Sequence, residues 1–173
     1  MKSCKKCGEI FTPYRTTDNK CYVCKKTDQA LKNLAKIKKD VTRKQREDLL
    51  TVSDYLKIAQ QVFNKWVRMR DKDQPCISCG AKAGKYRITA GHYFPSTNKS
   101  VTFNEDNLHG QCWFNCNSSK SGNLTEYRFG LIDRIGLERL EKLEIEARKI
   151  KKWTKDELKE LILEYKNKIK MMQ

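Results

Sequence analysis

Apolar positions fall into helical rhythm in four stretches of the chain and lose it completely in between. The clearest stretch opens at Thr51, which can cap a helix with Asp54 three residues on. Tyr55, Ile58, Ala59, Val62, Phe63, Trp66 and Val67 then recur at i, i+3, i+4 and i+7, a packing face. Pro75 disfavours helix in the residue before it, so this helix is predicted to end near Asp73. Further on, Asn123 with Glu126 starts a second helix carrying Leu124, Tyr127, Leu131, Ile132 and Ile135. Gly136 interrupts it, and Leu137, Leu140, Leu143, Ala147 and Ile150 form a third. Thr154 with Glu157 makes a capping box for a fourth, with Leu158, Leu161, Ile162, Tyr165 and Ile169 on one face. That last stripe either packs on the core or pairs two copies of the chain.

The remaining segments read differently. Residues 28–48 are helix-compatible but carry only a thin stripe (Leu31, Leu34, Ala35, Ile37), as expected of a solvated helix. Residues 76–123 hold short apolar pieces, including a strand candidate at Tyr86–Thr89, with five glycines and both histidines. The predicted organisation is a Cys4 knuckle at 1–26, a basic helical linker at 27–50 and an amphipathic helix at 51–75. A compact core at 76–123 and C-terminal helices at 124–173 complete it.

Charge changes this picture. The 173 residues carry 37 Lys and Arg against 21 Asp and Glu, a net +16, with only 38% apolar residues. The excess is uneven: residues 1–48 hold 14 basic and 6 acidic side chains. Such a balance implies a polyanionic partner and argues for nucleic acid. Lys32, Lys36 and Lys39 on the linker helix, with Arg87 and Lys120 in the core, are the candidate phosphate contacts. No apolar run approaches the roughly 20 residues of a membrane helix, and the first residues lack a signal-peptide stretch. The expectation is a soluble protein of the cytoplasm.

Eight cysteines fall in four close pairs: Cys4/Cys7, Cys21/Cys24, Cys76/Cys79 and Cys112/Cys116. Paired thiols in a reducing compartment read as zinc ligands. Cys4, Cys7, Cys21 and Cys24, with thirteen residues between the pairs, match a four-thiolate site. A stretch of roughly 25 residues buries too little core to fold without such a metal. Cys76, Cys79, Cys112 and Cys116 would staple a strand–loop–strand–helix unit with a second zinc. Four sulfurs leave that ion no open position, so both sites are structural and chemistry must come from other side chains.

Between and beyond these cysteines the order of residues is informative. Cys76-Ile77-Ser78-Cys79-Gly80 is followed by Ala90-Gly91-His92-Tyr93, then Asn107-Leu108-His109-Gly110-Gln111-Cys112, then Cys116-Asn117, Lys120 and Ser121-Gly122-Asn123 with Tyr127. This order resembles the zinc-stapled HNH nucleases of ββα-metal fold, and within them the branch typified by the phage endonuclease VII. More narrowly it resembles the phage NinG/Rap recombination proteins, specifically over residues 76–135 and more loosely over much of the chain. The fold class expected is therefore α+β: a zinc-stapled ββα-metal core flanked by α-helices, with the N-terminal knuckle. The resemblance implies an endonuclease that nicks branched recombination intermediates such as Holliday junctions and D-loops. It also implies as partners branched DNA, a second copy of the chain, and phage or host recombination proteins.

Phosphodiester hydrolysis needs a base for water, a cation over the phosphate and a donor for the leaving oxygen. A neutral imidazole takes a proton near physiological pH, and His92 at the end of the first strand is assigned that role. Mg²⁺ or Mn²⁺ would neutralise the developing charge. Asn117 is expected to offer its carbonyl oxygen to that ion, and Asn107 to orient the loop bearing the base. Where many HNH enzymes carry an aspartate before the histidine, this chain has Gly91. The ion's second ligand then falls to His109, Asp106 or Asn123. The last cysteine pair is one residue longer than the usual knuckle, which either bulges or puts Asn115 in the place of Asn117. Trp113 and Phe114 are read as packing. The rival expectation is a non-catalytic zinc module that binds DNA, and a third is a nuclease acting on ordinary duplex or RNA.

Overall fold

The computed structural model describes residues 1–173, the side chain of Arg43 excepted. The chain forms two compact units, Met1–Leu50 and Thr51–Gln173. Helices dominate, with two small antiparallel sheets, so the class is α+β. Among the described residues, no helix is long and apolar enough to cross a membrane.

In the first unit, β1 (Lys2–Ser3) pairs with β2 (Ile10–Phe11), and α1 runs from Tyr22 to Leu49. The helix therefore starts inside the second cysteine pair, six residues before the stretch at 28–48 that its polarity suggests. Cys21 is its N-cap and Cys24 sits in its first turn, so the helix delivers two ligands from one rigid element. Leu31, Leu34 and Ile37 are exposed along it, which fits their thin stripe.

In the second unit, α2 (Val52–Arg70) opens with the expected reciprocal cap between Thr51 and Asp54. It stops three residues short of Asp73, and the N–H of Asp71 closes its last turn on the carbonyl of Val67. Strands β3 (Ile88–His92) and β4 (Leu108–Cys112) form a hairpin in which Ile88 faces Cys112 and His92 faces Leu108. β3 begins two residues after Tyr86 and extends through the glycine to His92. A single π-helical turn, Trp113–Ser118, leaves β4. Then come α3 (Leu124–Ile135), α4 (Leu137–Glu146) and α5 (Lys155–Met171).

Asn123 stands at the start of α3 as expected, but in a left-handed conformation (φ 46°) and with no side-chain cap bond. The extent of the next helix is corrected. α4 ends at Glu146, which leaves Ile150 exposed and outside the helix. The α5 stripe is used up inside the chain: Leu158, Ile162, Tyr165 and Ile169 are buried, and α5 packs on α2. Tyr165 stacks with Phe63 at 4.5 Å and with Trp66 at 5.0 Å between ring centres. Of the two readings of that stripe, these side chains follow the one in which it packs on the core.

The turn at Cys76–Gly80 is held to the helices at one very tight place. An added Cβ on Gly130, in α3, would stand 1.9 Å from the carbonyl oxygen of Ile77. Backbone on both sides leaves no flexible partner to yield. Gly130→Ala is expected to destabilise the second unit by about 3 kcal/mol, the upper end for overpacking. A urea titration followed by circular dichroism would read it as a lowered midpoint.

Candidate functional site

Both cysteine quartets assemble. Within each, the four sulfurs lie within 4.8 Å of one another. Cys7 and Cys21 are 3.7 Å apart, Cys79 and Cys112 3.8 Å, and Cys76 and Cys116 3.9 Å. A tetrahedral ion with Zn–S bonds of ~2.3 Å holds its sulfurs about 3.8 Å apart, so the spacing fits zinc.

The two clusters are built by the same local device. In each, a positive-φ glycine four residues after the first cysteine lets the chain turn back (Gly8 φ 78°, Gly80 φ 65°). The glycine N–H then donates to the carbonyl of Cys4 or Cys76. In each, a backbone N–H from the second pair donates to the first sulfur: Cys21 to Cys4 at 3.2 Å, Cys112 to Cys76 at 3.3 Å. The N–H of Cys21 pulls the Cys4 thiol down to about 6. Burial pushes Cys76 up, but the N–H groups of Cys112, Cys79 and Ser78 win and bring it to about 7. Cys24 and Cys116 go the other way: burial and then the neighbouring sulfurs lift them to about 12. A lowered thiol beside raised ones is a set that a divalent cation stabilises, because its charge reverses the repulsion between thiolates.

The hairpin places the two histidines on opposite faces. Directly paired residues share a face, and successive residues alternate. His92 pairs with Leu108 and His109 with Gly91, so the rings point to opposite sides of the sheet. His92, half-buried, meets α2: its Nε2 lies 3.4 Å from Nε2 of Gln60. Gln60 also donates to Asn64 at 2.8 Å and accepts from Thr102 at 3.3 Å, so it is held firmly in place. Burial alone lowers the His92 pKa to about 4, which leaves the ring neutral at pH 7. His109 is buried against α3, its ring centre 6.3 Å from that of Tyr127. Burial, then the positive charge of Arg70, lowers it to about 3.

Each residue expected to share an ion with His92 has its own place in the fold. His109 is on the other face of the sheet. Asp106 is ion-paired with Arg139. Asn123 occupies its left-handed corner before α3. Asn117 lies in the π-helical turn, not at the start of an α-helix, and its backbone carbonyl accepts from the N–H of Gly122 at 3.0 Å. That turn follows Cys112, which pairs with Ile88 at the other end of the hairpin strands from His92. Among the described residues, the groups of three or more His, Cys, Asp or Glu side chains able to hold a metal are the two cysteine quartets.

Gly91 has a structural reason to lack a side chain. An added Cβ would stand 2.3 Å from Oε1 of Gln111, which is fully buried and donates to Ser78 at 2.7 Å. The glutamine fills the volume that an aspartate at that position would need. Asn107, also fully buried, ties down the loop after His92: it accepts from the N–H of Phe94 at 2.7 Å and donates to the carbonyls of Phe94 and Val101 at 3.0 Å each.

Sequence reasoning missed Gln60 and Asn64, which sit on the polar side of a helix noted only for its apolar stripe. It also missed Asp71. Burial would raise that carboxyl, but the Arg70 guanidinium beside it and the N–H of Gly110 hold it below the usual range. Lys32, Lys36, Lys39, Arg87 and Lys120 are all exposed, as phosphate contacts must be.

The chain matches curated phage proteins over 124 of its residues. It is 41% identical to "Protein ninG" of Salmonella phage P22, 43% to that of Escherichia phage lambda and 40% to that of Escherichia phage 933W. Each match covers 68% of this chain and 57% or 58% of the relative, so the chain spans under three fifths of their length. No solved structure matches. With the model of the family described as Bacteriophage Lambda NinG protein matching residues 1–173, the chain belongs to the NinG family.

Proposed function

We propose that this chain is a structure-specific DNA endonuclease that nicks branched recombination intermediates. The observation that carries the reading is His92: one neutral imidazole, half-buried at the end of a cysteine-stapled hairpin, in a chain of net +16. The neutral ring can take a proton from an attacking water. The Gln60 amide nitrogen faces Nε2, so Nε2 offers its lone pair and Nδ1 carries the proton. At 3.4 Å that contact is long enough for a water to compete for the same lone pair. Asn107 holds the loop that follows His92. The lysines of α1 would bind backbone phosphates, which position DNA without reading its sequence, as suits an enzyme selecting shape.

A nicking assay with zinc-loaded protein, in buffer with Mg²⁺ or Mn²⁺, tests the reading. The expected result is cleavage of a four-way junction with little cleavage of the linear duplex of the same sequence. Binding without cleavage in either ion would leave a DNA-binding accessory module instead. That rival is supported by Gly91, which stands where many HNH enzymes carry an aspartate before the histidine. Equal cutting of junction and duplex would remove the shape selectivity.

A further inference from the structure

We infer that the π-helical turn after β4 is a stacking platform for unpaired DNA bases at a branch, an assignment that rests on the branched-DNA reading. Contrary to the packing role expected of them, Trp113 and Phe114 are 45% and 65% exposed. The reason is the long spacing of the last cysteine pair. β4 is buried throughout, and Cys116 must return to the cluster with three residues between it and Cys112. A wide π-turn absorbs the additional residue, and its first two side chains are carried outward. Single π-turns of this kind are frequent at functional sites.

The surroundings identify the occupant. The N–H of Trp113 donates to the carbonyl of Arg87, and the Arg87 guanidinium lies 5.7 Å from the Trp113 ring centre. Lys85 stands over Tyr86 at 5.4 Å, and Tyr86 is itself 40% exposed. Beside these aromatics is a groove of about 480 Å³ lined by Lys85, Tyr86 and Lys120, with no carboxylate in its wall. The two acids between residues 74 and 123 are engaged elsewhere, Glu105 with Tyr165 and Lys168 and Asp106 with Arg139. Exposed aromatic faces interleaved with cations, without acids, fit a strand whose bases stack while its phosphates pair with Lys and Arg. In a closed duplex the bases already stack on one another, so the platform gains a partner only where pairing is broken. It therefore favours branches.

The test uses the full zinc-loaded chain with Ca²⁺ in place of Mg²⁺, so that binding is read without cutting. The DNAs are a forked junction with 2-aminopurine unpaired at the branch and a linear duplex. Wild type is expected to quench the 2-aminopurine on binding. Trp113→Ala with Phe114→Ala is expected to lose about tenfold to hundredfold in affinity for the fork, from 1–3 kcal/mol per stacked base, and to bind duplex as before. Quenching by wild type needs no variant, so an ill-folded mutant cannot decide the matter. Absent quenching by wild type, or equal loss on fork and duplex by a double variant that keeps the wild-type circular dichroism and zinc content, overturns the platform. If wild type quenches but never cuts a junction in Mg²⁺, the platform stands and the endonuclease reading falls. If wild type cuts junctions without quenching, the reverse holds.

Discussion

Replacing Cys112 with serine is expected to leave the second unit without cooperative structure, not merely inactive. The sulfur is buried at the foot of β4, 3.8 Å from Cys79, and its N–H holds the sulfur of Cys76. Structural zinc contributes roughly 10–16 kcal/mol of apparent folding free energy in small domains, about as much as a whole domain's net stability. A serine oxygen is a poor substitute for a thiolate in a four-sulfur site. Metal analysis should show the zinc content fall from two ions per chain to one. Near-UV circular dichroism should lose the signals of the Phe63, Trp66 and Tyr165 core. A folded, inactive Cys112→Ser protein would contradict the structural role given to this cluster.

Changing His92 to alanine should slow junction cleavage by about a hundredfold to ten-thousandfold, the usual contribution of a general base. Junction binding should stay as in wild type, because the ring makes one long polar contact, to Gln60. The pH dependence gives a second reading. Burial lowers the folded pKa of His92 to about 4, below the ordinary value near 6.5. The neutral ring is thus favoured by the fold, and its stabilisation is present above pH 6.5. It is lost as pH falls towards 4, by up to about 1.4 kcal/mol per pH unit. The acid limb of kcat/KM should accordingly lie well below 6.5, with cleavage level from pH 7 down to about 5. Zinc content measured at each pH would separate this limb from loss of metal. A limb at 6.5 would mean that the ring is solvated when DNA is bound, and an alanine variant that cuts at the wild-type rate would remove His92 from the reaction.

The same burial explains why the site is only half legible in the sequence. His92 can be singled out because a chain with two histidines, both inside a cysteine frame, leaves few alternatives for a base. Its partner cannot. Asn117 is adjacent to a cluster cysteine in sequence, and nothing in the order of residues reveals that it lies in a π-turn and not at the start of an α-helix. His109 looks equally eligible, yet the two-residue period of a strand, fixed by a register not written locally, sends it to the opposite face.

Periodicity and spacing alone were enough to place the cysteine quartets, the capped starts of α2 and α5, the break at Gly136 and the basic first segment. Each of these depends on contacts within a few residues or on composition, so the information is local. Tertiary packing alone decided that the α5 stripe is spent on α2, that Gln111 occupies the space above Gly91, that Gln60 meets the imidazole and that Trp113 and Phe114 face outward. Those outcomes turn on which residues far apart in the chain compete for one volume, and a linear pattern of polar and apolar positions carries no record of that competition.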